Sequence, residues 1–96
     1  MIWDRTKKGI LDIGGELVHF EVKIPSALEM EDIVSNLDEN GRPKMKDSDF
    51  VKRFCTTIEG FSSVDEFLNC GQSYWAMKAI GGFIVESSKL DCEVKN

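Results

Sequence analysis

Histidine occurs once in this sequence, proline twice and cysteine three times, and no apolar run approaches the length of a membrane span. Each scarcity removes a class of function. With His19 the sole histidine, a nucleophilic cysteine has one candidate base, so a Cys–His enzyme is not expected. Cys55, Cys70 and Cys92 are odd in number, widely spaced and lack a C-x-x-C pair. That pattern gives neither a disulfide framework nor zinc-ligand spacing, and fits incidental or buried thiols in a reducing cytosol. Positive charge is also short: 12 Lys and Arg stand against 17 Asp and Glu, for a net charge of −5. An acidic chain repels phosphates, and Arg5, Lys7 and Lys8 make only a small cluster beside Glu16 and Glu21, so nucleic acid is not an expected partner. The opening residues, MIWDRTKKGI, carry charge early and contain no apolar signal core. A membrane partner is not expected, and a cytoplasmic location is.

What the chain does contain is ordinary for a folded domain. It has 96 residues, 42% hydrophobic and 30% charged, which predicts one small domain with one modest core and little disorder. Val18, Phe20, Val22 and Ile24 alternate with His19, Glu21 and Lys23, the period of a half-buried strand. Leu11 and Ile13 alternate around Asp12, and Gly14-Gly15 between the two runs suits a two-residue hairpin turn. A hairpin over about 8–24 follows, with Ile13 opposite Glu16, Leu11 opposite Val18 and Gly9 opposite Phe20. Leu11, Ile13, Val18 and Phe20 then share one face. Lys8, Ile10, Asp12, Leu17, His19 and Glu21 share the other, where the Lys8–Glu21 cross-strand pair contributes about 0.5 kcal/mol.

Pro25 ends the strand, and Ser26-Ala27-Leu28-Glu29 reads as a capping box. A helix over about 27–37 is predicted, with Met30, Ile33, Val34 and Leu37 on one side. A polar loop to about Asp47 follows, exposed and mobile, with Met45 as a weak anchor. A second helix is predicted over about 48–59, capped by Asp47 or Ser48, burying Phe50, Val51, Phe54, Cys55 and Ile58 and stopping at Gly60. Ser63 and Glu66 occupy capping-box positions for a short helix over about 63–70. A last helix over about 72–88 turns Ala76, Ile80, Phe83 and Ile84 to the core. Gly81-Gly82 interrupts it, which fits a close crossing, a kink or a break into two pieces. The tail from Leu90 frays or adds an edge strand. The predicted class is therefore α+β: an N-terminal β-hairpin followed by three to four helices in one small domain, residues 1–96.

No motif carries chemistry. The glycine pairs match neither G-x-G-x-x-G nor a P-loop. The acidic run Asp38-Glu39-Asn40 lacks the ligand periodicity of an EF-hand. No catalytic, metal-binding or cofactor-binding residue is assigned, and no cofactor is expected. Surplus apolar residues are the remaining signal. Ile10 and Leu17 are diagonal neighbours on the hairpin's outer face, and Trp75 and Val85 lie off the main stripe of the last helix. Either another element covers them within the chain, or they form a partner-binding surface.

The order of elements, with L-V-H-F-E-V-K-I-P-S closing the hairpin, F-V-K-R-F-C-T-T-I-E-G-F, S-S-V-D-E-F-L and A-I-G-G-F-I-V-E-S-S, resembles small tail assembly chaperones of long-tailed bacteriophages. The resemblance covers about residues 8 to 90. It implies a non-catalytic protein that coats the tape measure protein, keeps that long helical chain soluble, and recruits tail tube subunits. It also implies a longer form made by ribosomal frameshifting, and carries over no catalytic residue. The alternative is another phage or bacterial interaction protein, such as a head–tail joining component or a regulatory adaptor. Self-association stays open.

Overall fold

The computed structural model describes residues 5–89 and Val94. The expectation for the tail from Leu90 and the position of Cys92 fall outside those residues. The N-terminal hairpin forms as the alternation requires: β1 (Thr6–Ile13) and β2 (Glu16–Lys23) pair antiparallel, with Ile13 opposite Glu16, Leu11 opposite Val18, Gly9 opposite Phe20 and Lys8 opposite Glu21. Gly14 and Gly15 take φ of +61° and +92°, the left-handed conformations that a two-residue turn of matching twist demands. The Asp12 carboxylate accepts the Gly15 N–H at 2.9 Å. Phe20 and Val22 point inward, whereas Ile10 and Leu17, each 58% exposed, point away from the helices.

Four helices follow: α1 (Ala27–Ser35), α2 (Asp47–Phe54), α3 (Val64–Leu68) and α4 (Tyr74–Ser87). The α1 capping box is complete: Ser26 Oγ accepts the Glu29 N–H and the Glu29 carboxylate accepts the Ser26 N–H. This helix stops at Ser35, short of the predicted 37, because side chains compete for its last carbonyls. Asn36 Nδ2 donates to the Asp32 carbonyl at 2.9 Å, and the Ser35 hydroxyl donates to that of Glu31. The following loop is exposed but tied together. The Asp38 carboxylate accepts N–H groups from Asn40 and Arg42, Asp38 N–H donates to the Arg42 carbonyl, and Leu37 bridges Pro43.

The predicted helix over 48–59 is corrected. Its first half is α2, but after Phe54 the chain straightens into a third strand, β3 (Cys55–Ile58), antiparallel to β2. Thr56, Thr57 and Ile58 are β-branched, and the outer edge of β2 offers them a ladder that a helix would leave unpaired. Phe20 faces Ile58, Glu21 faces Thr57 and Val22 faces Cys55, so Thr56 is an extra, bulged residue. Its hydroxyl donates to the Glu21 carbonyl at 3.1 Å. The bulge puts Cys55 and Ile58 on the same face, a three-residue spacing that a helix would also produce. All five residues expected to be buried here are buried, by a different backbone route. Gly60 holds φ +90° in the turn after β3 and does not cap a helix.

Caps differ as well. The N-cap of α2 is Lys46, whose side chain offers no acceptor to the first N–H groups, and the Asp47 carboxylate accepts instead from Lys78. At α3, Ser63 Oγ accepts the Glu66 N–H, but the Glu66 carboxylate turns to the N–H and hydroxyl of Ser62. Helix α4 runs unbroken through Gly81-Gly82. The sheet has order β1-β2-β3, and α2 and α4 pack on its inner face around Val22, Val51, Phe54, Ile80 and Ile84, all completely buried.

Candidate protein-binding groove

Two consecutive glycines inside a helix cost about 1 kcal/mol each relative to alanine, so α4 invites a reason for them. Packing does not supply one. A Cβ built on Gly81 would lie 3.8 Å from Val51 Cγ2, an ordinary contact, and one on Gly82 would meet nothing. What the missing side chains do is leave the floor of a groove open. Met30, Ile33 and Val34 of α1 form one wall, Pro43 and Met45 close one side, Phe50 of α2 lies beneath, and Gly81, Gly82 and Val85 of α4 complete it. The cavity measures about 420 Å³ and its lining is mainly apolar. That volume lies in the range of apolar sites that bury a drug-sized group.

Charge borders the groove at one place. Lys78 Nζ donates to the Asp47 carboxylate at 2.6 Å, both side chains remaining well exposed. The hydrogen bond to Asp47, reinforced by its negative charge, holds Lys78 above the ordinary lysine range, and nearby Arg42 opposes the shift. Trp75, Lys78, Gly82 and Val85 recur at three- and four-residue spacings, so they share one face of α4. That face leads from the groove to an exposed aromatic pair. Trp75 is 76% exposed, and its ring meets Tyr74 edge-on at 5.1 Å.

Of the four residues singled out in the sequence, the structure brings two onto this face. Trp75 stands fully open at one end, and Val85 is half-buried in the groove wall. Ile10 and Leu17 lie on the outer face of the sheet, whose inner face carries α4, so one continuous surface through all four does not form. No described element covers Ile10, Leu17 or Trp75. The groove itself was not foreseen. Its signals were present in the unexplained glycine pair and in Met45, an apolar residue within a polar loop.

His19 borders a shallow polar depression of about 430 Å³ on the outer face, beside Lys8, Glu21, Thr57 and Glu59. Cys55 is buried on the inner side, where its Sγ donates to the Thr57 carbonyl at 3.7 Å and desolvation pushes the thiol up to about 11. The sheet therefore separates the two. Among the described residues no three His, Cys, Asp or Glu side chains converge as metal ligands, and no helix is long and apolar enough to cross a membrane. Compared with models of protein families, with curated proteins and with solved structures, the chain matches none.

Proposed function

We propose that this protein is a non-catalytic assembly chaperone of the phage-tail kind, which holds apolar segments of the helical tape measure protein along the α4 groove and presents them to tail tube subunits. The observation that carries the reading is the open floor at Gly81-Gly82. Helix stability is forgone there, no packing need explains it, and the result is an apolar groove, with an exposed tryptophan on the same face of α4 beyond the Lys78–Asp47 pair. An amphipathic helix laid along such a groove inserts side chains at i, i+3, i+4 and i+7. Apolar burial is non-directional, so one groove tolerates a long client of varied sequence. The net charge of −5 keeps the coated client dispersed. The choice of client rests on the resemblance of the sequence segments alone, since the F-V-K-R-F-C-T-T-I-E-G-F segment is part helix and part strand.

Co-expression with the tape measure protein encoded nearby tests this. Soluble client is expected to rise with the wild-type chain and to fall when Trp75→Glu is introduced into a protein with an unchanged melting curve. Client solubility that is indifferent to the chain, in its short form and in any frameshifted form, overturns the proposal.

A further inference from the structure

The hairpin's surplus apolar residues remain to be explained, and the geometry of β1 bears on them. This strand is eight residues long and, among the described residues, pairs on one side only, with β2. In a hairpin with a two-residue turn, the closing pair Ile13–Glu16 exchanges hydrogen bonds and the pattern then alternates. Ile13, Leu11, Gly9 and Lys7 thus address β2, and the Ile24 N–H reaching the Arg5 carbonyl at 2.8 Å continues the same phase. Thr6, Lys8, Ile10 and Asp12 direct their N–H and C=O groups outward, to an edge with no strand beside it among the described residues. Such an edge pairs readily with another strand.

We propose that the partner is a second copy of this chain, with β1 pairing antiparallel to β1 of the other copy about a two-fold axis at Ile10. The register follows from charge. Outward-facing groups must meet outward-facing groups, so β1 can be centred on few positions. Centring on Lys8 sets lysine against lysine, and centring on Asp12 sets aspartate against aspartate. Centring on Gly9 places Lys8 opposite Ile10, and centring on Leu11 places Asp12 opposite Ile10. Only the Ile10 centre sets each Lys8 opposite the other copy's Asp12, twice by symmetry, with Ile10 against Ile10 between them. Glu21 lies opposite Lys8 on β2, so each lysine then has a carboxylate on both sides. On the inner face, Leu11 meets Gly9, which has no side chain to obstruct it. A continuous sheet β3-β2-β1-β1-β2-β3 results, and its outer face gathers both copies of Ile10 with Leu17 diagonal to each. This inference is independent of the groove, which lies on the other side of the sheet.

Sedimentation velocity on the full chain and two charge variants tests it. The wild type is expected at twice the monomer mass. Lys8→Glu sets acid against Asp12 of the other copy, and Asp12→Lys sets base against Lys8, so each variant alone is expected to run as a monomer. Mixed in equal amounts, the two variants regain opposite charges at both positions and are expected to pair again. Because Asp12 also holds the turn, circular dichroism accompanies each variant, and Ile10→Lys, at an exposed position, supplies a second disruption that leaves the fold intact. A monomeric wild type overturns the proposal, as it would if a peptide from another protein were the natural occupant of the edge. Single variants that stay dimeric, or a mixture that stays monomeric, overturn the register.

Discussion

Gly9 shows how closely a single residue is tied to the core. Its ideal Cβ would stand 2.4 Å from Phe20 Cζ and 2.8 Å from Cε1, while Phe20 itself is buried edge-on against Phe83 at 5.0 Å. Gly9→Ala is expected to lower stability by about 1–3 kcal/mol in urea unfolding, and the loss is expected to shrink in a Phe20→Leu background, because contacting sites couple. Gly82→Ala runs the other way: it relieves helix entropy with no neighbour to meet, so stability is expected to rise by about 0.5–1 kcal/mol. Phe54 and Ile80, read from the sequence as core and completely buried, are expected to cost about 2–5 kcal/mol each on truncation to alanine. Cys55 links stability to pH. Its thiol is raised from 9.0 to about 11 in the fold, so the unfolded chain ionises first. The stability it contributes is complete below pH 9 and is lost as pH rises towards 11. Melting temperature is expected to fall more steeply across that window in the wild type than in Cys55→Ala.

At the scale of elements, legibility followed how local the determining forces were. The hairpin could be read to the residue, because a two-residue turn fixes register and a one-residue slip would expose Phe20 and Val22. The α1 start was equally plain, since the side chains of Ser26 and Glu29 accept each other's backbone N–H within four residues. Removing that cap with Ser26→Ala is expected to cost about 1 kcal/mol by thermal melting. The strand β3 could not be read this way. Phe54, Cys55 and Ile58 carry the spacing of a helix stripe, and the bulge at Thr56 reproduces that spacing in extended chain. What decides between the two is the unpaired edge of β2, more than thirty residues away in sequence. The groove was illegible for a related reason. Its walls come from α1, the 43–47 segment, α2 and α4, so no single stretch carries its pattern. The sequence did register its trace, as two glycines that the helix itself does not need.

For the whole molecule, the described residues arrange as a three-stranded sheet with α2 and α4 on one face, an apolar groove beside the last helix and a β1 edge that no described strand pairs. Gly82 allows the proposed binding role of the groove to be tested apart from the fold. A larger side chain there enters the groove without striking a neighbour at its Cβ, so binding and stability can be changed in opposite directions. The most direct measurement titrates a fluorescently labelled amphipathic helical segment of the tape measure protein into the wild type and into Gly82→Leu, with melting curves for both. Binding by the wild type is expected, with a loss of at least about tenfold in affinity, or about 1.4 kcal/mol, for a Gly82→Leu protein that melts no lower. Equal affinity for the two proteins would contradict binding in the groove.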